Sequence, residues 1–342
     1  MNLTRHRHVP RTRAGAGLLL GSLALVLLLV VSFAIGSRPI PWQEVLRAFT
    51  AFDATDDRHV IVQSLRVPRG VLAIMAGGSL GLAGAVMQSV TRNPLAEPGL
   101  LGINAGAAMA VVLGSIAFGL TSVSEYIWFS MLGAGLSGGT VFLLGRAQDS
   151  GTDPVRLVLA GAGLSMLLGA LTTLLILNAD LEVLDLFRNW GTGTLDGRGA
   201  DATMVAGLSL LVGGALVFLI APALDALAMG QDIGRTLGLD PRRIWALACL
   251  SVMVLAGGAT AAAGPIAFVG LVAPHLARRI VGPRNTAVLP LSALFAAVML
   301  LAADILGRVV AAPEEVAAGI IAALLGGPFF IQVVRRYRLV QL

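Results

Sequence analysis

The sequence predicts an all-α, polytopic membrane protein with ten transmembrane helices. Three observations lead there. Hydrophobic residues make up 56% of the 342-residue chain and charged residues 13%, against about 25% charged in an average soluble domain. Mean hydropathy is +0.86. Ten apolar segments, most near the ~20 residues needed to cross a bilayer, follow one another with polar breaks between them. The chain reads as one membrane domain over 1–342, with no soluble domain attached.

The first segment, 15–36, follows Arg5, His6, Arg7, His8, Arg11 and Arg13. Those flanks suit a signal peptide, but the apolar stretch exceeds an h-region of about 7–15 residues and no small-residue cleavage site follows. An uncleaved first span is expected. The second, 69–90, carries Gly77, Gly78, Gly81 and Gly84, small residues that let helix backbones approach closely in lipid. It ends at Arg92-Asn93-Pro94-Leu95-Ala96-Glu97-Pro98-Gly99, a polar corner stiffened by two prolines. Spans three to six cover 100–120, 126–146, 155–178 and 202–221. Spans seven and eight, 243–263 and 265–281, are divided only by Gly264-Pro265; 287–310 and 316–334 complete the set.

Between spans six and seven the loop 222–243 alternates apolar residues with glycines and acids. It reads as two short helices lying along the membrane, able either to connect inertly or to transmit force from a partner.

Arginine sets the orientation. With ten spans both termini share one side, and that side holds the N-terminal cluster, Arg335, Arg336, Arg338 and nine loop arginines: sixteen against eight. The acidic residues gather opposite, among them Glu44, Asp53, Asp56, Asp57, Glu314 and Glu315. The positive-inside rule places both termini in the cytoplasm.

Composition also excludes chemistry. All 24 basic residues are arginine, so neither a Walker phosphate loop, which needs its lysine, nor a Schiff base can form. The net charge of +5 is scattered over short loops rather than gathered on one face, which argues against nucleic acid. Cys249 is single, and reads as a small buried hydrophobe. His275 has no companions for a metal site, so no metal or cofactor is expected. No catalytic constellation stands out, and an enzyme is disfavoured. Asp304 lies within span nine with Arg308 four residues on, spacing that lets the two meet on one helical face. An intramembrane carboxylate can serve a proton or ion relay, but the other spans supply no second one at depth; a structural Asp304–Arg308 pair is the expectation.

Several stretches together resemble one family: LRVPRG (65–70), GLAGAVMQSVTRNPLAEPGLLGINAGA (81–107), VRLVLAG (155–161), MGQDIGRTLGLDPRR (229–243), GPIAFVGLVAPHLARRIVG (264–282), ADILGR (303–308) and GGPFFIQVVRR (326–336). They spread in order over about 270 residues. The chain is similar to the FecCD, or BtuC-like, permeases of bacterial ABC importers for iron–siderophores, haem and cobalamin, and looks closest to ferric-enterobactin-type members. The resemblance implies the type II importer permease fold with ten helices and both termini cytoplasmic. It also implies a second permease subunit, identical or different, two cytoplasmic ATPase subunits, an extracytoplasmic binding protein and a ferric siderophore as cargo, in the bacterial inner membrane.

Carried over by position, Arg66, Arg69 and Arg308 match outward-facing arginines that meet acidic residues of the binding protein. Asn93 and Leu95 match a cytoplasmic gate, and Pro154 and Val155 fall near its second segment, where the family often has small hydroxyl residues. Leu224, Leu227, Met229, Gly230, Ile233, Leu237 and Gly238 match the helices that couple to the ATPase. Cobalamin or haem is the alternative cargo. An ion-coupled secondary transporter, resting on Asp304, is the rival class.

Overall fold

The computed structural model describes residues 11–147, 151–152 and 154–336. Arg5, His6, Arg7, His8 and Arg338 lie outside them. The helices run α1 Arg11–Ala34, α2 Trp42–Thr50, α3 Asp57–Val60, α4 Val67–Val90, α5 Ile103–Phe118, α6 Val123–Leu144 and α7 Pro154–Leu177. They continue as α8 Leu181–Gly191, α9 Gly199–Ala228, α10 Gln231–Thr236, α11 Pro241–Ala263, α12 Val269–Val281, α13 Asn285–Val310 and α14 Ala318–Arg336. Among the described residues the only strand pairing is a two-residue antiparallel ladder, Arg146–Ala147 with Gly151–Thr152.

Among the described residues, eight helices are long and apolar enough to cross a membrane; α3 and α4 count as one because a wide π turn over Ile61–Arg66 joins them. The expected third and eighth spans are shorter helices. The third, α5, has 16 residues and is preceded by a 3-10 turn at Pro98–Leu101. The eighth, α12, has 13 residues and follows an irregular stretch. Gly264 ends α11 at φ +77°, and a Cβ there would strike the Trp190 carbonyl. Phe268, left-handed at φ 66°, then opens α12. Non-helical backbone at membrane depth is tolerated where protein buries it, and here α8 and the 192–198 segment cover it.

The central pillar is α4. In its most apolar stretch 83% of residues are buried, against 11% for α7 and 17% for α1. It packs on α13, α9, α11 and α12. The α4–α12 contact depends on Gly84, where a Cβ would collide with the Gly270 carbonyl.

Two amphipathic helices arise where the sequence reading expects only loop. In α2, Val45 and Ala48 pack with Ala34, Ile40 and Val62, and in α8, Trp190 joins the main core. The loop 222–243 also differs from expectation. Its first half is no separate surface helix: α9 continues through Pro222 to Ala228, because Leu224 and Leu227 bury into the core. Only α10 is a short helix of its own.

Candidate functional site

Two ends of the bundle concentrate polar chemistry. At the end where α4 begins and α13 finishes, Arg69 donates from Nε to Asp304 at 2.8 Å and from Nη1 to Asp196 at 2.8 Å and Glu315 at 2.7 Å. Arg308 donates to the other oxygen of Asp304 and to the Ser32 carbonyl at 3.1 Å. Arg66 caps the end of α1, donating to the carbonyls of Phe33 at 2.7 Å and of Arg38. Asp304 is fully buried, and Arg66, Arg69 and Arg308 are no more than 9% exposed. The expected Asp304–Arg308 pair is thus part of a larger network that draws in Arg69.

Arg66, Arg69 and Arg308 are buried and internally bonded: desolvated guanidiniums need internal acceptors, and these have the partners just named. The surface of the network is acidic, with the Asp196 side chain 68% exposed and that of Glu315 26%. Burial opposes ionisation of Glu315, but the Arg69 guanidinium, the Ser37 hydrogen bond and the Arg308 charge together outweigh it and hold the carboxyl below its usual range.

At the other end, α4 stops in the 91–97 corner. Arg92 turns the chain at φ 51°, and Asn93 Oδ1 accepts from the Leu95 N–H at 2.9 Å, an Asx turn that fixes the corner. Asn93 is exposed and Leu95 half-buried. Pro154 opens α7 and Val155 is exposed. The 3-10 turn after the corner packs on α7, with Gly161 against the Leu100 carbonyl. Glu97 reaches into the break before α12, accepting from the Phe268 N–H at 2.8 Å. Burial raises the Glu97 pKa, and that N–H only partly opposes the rise.

The corner is tied to the end of α9. Arg92 donates to the Leu227 carbonyl at 2.9 Å. Asp225 caps the first turn of α13, accepting from the N–H of Asn285 at 2.5 Å and from the N–H and hydroxyl of Thr286 at 3.3 and 3.2 Å. Beyond Ala228, Gly230 at φ 138° swings the chain into α10, and Gly238 at φ 79° closes it. Met229, Ile233 and Leu237 are left 63, 45 and 62% exposed. Of the expected coupling residues, then, Leu224 and Leu227 are core, while Met229, Ile233 and Leu237 form an apolar surface flanked by the two glycines.

The FecCD transport family matches residues 24–336 of this chain. The chain belongs to the FecCD transport family. It is 40% identical to the ferric enterobactin transport system permease protein FepD of Escherichia coli (strain K12) over 329 residues, covering 96% of both chains. It is 38% identical to the probable siderophore transport system permease protein YfiZ of Bacillus subtilis (strain 168) over 295 residues, covering 86% of this chain and 88% of that one. Among solved structures, an inward-facing ABC transporter described as of the metal-chelate type superposes with a TM-score of 0.81 at 28% identity, covering 94% of this chain and 99% of that one.

In this FecCD chain the sequence reading missed Asp196, Glu315, Glu97 and Asp225 as partners. Each lies far along the chain from the group it holds, so no local spacing announces it. A further cluster, Glu44, Asp56 and His59, brings its ligand atoms within 4.8 Å of one another. Metal-bound histidines usually donate their second ring N–H. Here His59 Nδ1 instead accepts from the Asp53 N–H at 3.0 Å, so the neutral ring keeps its proton on Nε2, 3.6 Å from Glu44. This donor set does not suit a metal at Nε2.

Glu97 yields a pH prediction. Its pKa is raised on folding, so its contribution to stability is complete below the usual carboxylate range, about 4.3, and is lost as pH rises through the raised value. Glu97→Gln, which keeps an acceptor for the Phe268 N–H, is expected to flatten the fall in thermal stability across that window in detergent. An unaltered profile would contradict it.

Proposed function

We propose that this chain is the membrane-spanning permease subunit of an ABC importer carrying a ferric siderophore across the bacterial cytoplasmic membrane. The match to the FecCD family over residues 24–336, with relatives named for siderophore transport, carries this reading. The subunit itself hydrolyses nothing. It works with a second permease, identical or different, two ATPases on the cytoplasmic side and a binding protein outside.

The chain crosses ten times. The 16 residues of α5 rise about 24 Å, and the 3-10 turn before them supplies several ångströms more. The extended 264–268 stretch lengthens the α12 crossing in the same way. The arginine asymmetry puts both termini, the 91–97 corner and α10 in the cytoplasm, with the Arg69–Asp304 network outside. Asn93, Leu95, Pro154 and Val155 stand at the cytoplasmic mouth as gate residues.

Docking at Arg69 proceeds by exchange. Its Nη1 is held by Asp196, a mostly exposed side chain, so an acidic residue of the binding protein competes for a guanidinium already placed. Such charge pairs steer and orient more than they add affinity. Asp304 is bonded to Arg69 and Arg308 together, which leaves it poorly suited to an ion relay and disfavours the ion-coupled alternative.

Coupling rests on α10. An apolar surface of Met229, Ile233 and Leu237 fits a groove on an ATPase, in the manner of a helix docked by its apolar face. Replacing all three with serine is expected to abolish co-purification of the ATPase while the permease stays monodisperse in detergent. Undiminished ATPase binding would refute this assignment.

A further inference from the structure

Between α12 and α13, on the side of the bundle that α1 flanks, lies an apolar groove of about 430 Å³. Leu276 and Ile280 of α12 and Phe295, Val298 and Met299 of α13 line it, each set spaced to share one face of its helix. The glycines of α1 bring it close to the same residues. A Cβ added at Gly17 would stand 3.4 Å from Ile280, and one at Gly21 would stand 3.2 Å from Phe295. Arg279 is the one lining residue with a polar side chain, and it is exposed. The groove therefore offers its occupant apolar contact along its length and a single cation.

Helix rise sets the depth of each part. α12 ends at Val281 and α13 begins at Asn285, at the cytoplasmic face in the orientation proposed above. Phe295 and Met299 then lie about 15 and 21 Å along α13, between the headgroups and the bilayer midplane. Arg279 lies in the last turn of α12, at headgroup level. An arginine there can lay its stem along apolar surface and carry its guanidinium to the interface.

Charge specifies what fills the groove. No acid occurs between Asp240 and Asp304, while Arg278, Arg279 and Arg284 cluster where α12 gives way to α13. Arg278 donates to Gln88 and to the Ala85 carbonyl at 3.3 Å, and Arg284 stands 3.7 Å from Asp225. Among the described residues no carboxylate pairs with Arg279. A phospholipid supplies both missing parts, a hydrocarbon chain for the groove and an anion for the arginine, and basic pockets between cytoplasmic helix ends bind anionic headgroups. The apolar face of a second permease helix would fill the groove but bring no anion to Arg279.

We infer that this groove is a binding site for an anionic phospholipid of the cytoplasmic leaflet, with an acyl chain between α12 and α13 and the phosphate on Arg279. The assignment rests on the membrane orientation proposed above and is independent of the cargo.

The test uses the full-length chain assembled with its partners in phosphatidylcholine nanodiscs. One set is doped with a trace of phosphatidylglycerol carrying a diazirine on one acyl chain, the other with phosphatidylcholine carrying the same group. After illumination, the labelled peptides are mapped by mass spectrometry. Phosphatidylglycerol should label the groove residues of α12 and α13 about fivefold more than phosphatidylcholine, the preference one arginine supplies near a membrane surface. Arg279→Gln should bring the two probes level, and Val298→Trp, which fills the groove, should remove labelling there by both. Should Val298→Trp fail to fold, unlabelled phosphatidylglycerol must suppress the labelling of the parent chain.

Equal labelling of the parent by both probes overturns the inference, as does a preference that survives Arg279→Gln. Displacement of the lipid by glycerol 3-phosphate also overturns it, because the site then recognises a phosphate without its chains. So does capture of the second permease, in place of lipid, by a photoreactive residue at Leu276. The readout needs no transport, so its failure leaves the importer assignment standing, and a failure of uptake leaves this site standing.

Discussion

Asp304→Ala is expected to abolish recovery of folded protein. Asp304 is fully buried and accepts from Arg69 on one oxygen and from Arg308 on the other. Removing it leaves Arg308 with only the Ser32 carbonyl, and Arg69 with Asp196 and Glu315 nearer the surface. Breaking a buried ion pair from one side costs about 3–5 kcal/mol, a large share of the ~5–15 kcal/mol that holds a typical protein together. The double variant Asp304→Leu/Arg308→Met removes both charges of the inner pair and leaves Arg69 its two outer acids. It should recover part of the loss, visible by fluorescence-detected size exclusion and thermal midpoint. A single variant as stable as the parent would show that the network contributes nothing to the fold.

The second large effect concerns coupling. Asp225→Ala is expected to leave a folded permease that still binds its ATPase but transports at least tenfold more slowly, with ATP hydrolysis largely intact. Asp225 holds the first turn of α13 from the last turns of α9, next to α10. Loss of a helix cap costs about 1 kcal/mol, tolerable for the fold. Mechanically, however, α13 is then no longer pinned to the segment that feeds α10, and its far end carries Asp304 and Arg308. Asp225→Asn, which keeps acceptor capacity without the charge, should fall between the two. Transport and ATPase activity declining in equal proportion across both variants would contradict this role. The measurement is uptake per ATP hydrolysed in proteoliposomes.

Most of the fold was legible because lipid imposes a strong rule: apolar runs of span length, with breaks at Pro and Gly. The Gly264-Pro265 division and the Asn93-Pro94 corner both stand in the structure where the chain chemistry put them. The Asp304–Arg308 pair was legible from its i, i+4 spacing. Other parts were not. Arg69 meets Asp304 across 235 positions and Asp225 meets Asn285 across 60, and one sequence holds no signal for such pairings. The burial of Arg66, Arg69 and Arg308 was illegible for the same reason: flanking position predicts which end of the bundle a charge occupies, but not which acceptors tertiary packing brings to it. Leu224 and Leu227 likewise carry the same apolar character as Ile233 and Leu237, and only packing separates core from surface. The short amphipathic helices α2 and α8 were hidden among polar residues that read as loop.

The central claim is that this chain forms an ATP-driven path for a ferric siderophore. Its most direct test is uptake of radiolabelled ferric enterobactin into proteoliposomes containing the chain with its permease partner, ATPases and binding protein. Uptake should require hydrolysable ATP, stop when Met229, Ile233 and Leu237 are replaced together, and persist when proton and sodium gradients are collapsed. Uptake that follows an ion gradient without ATP would contradict the claim.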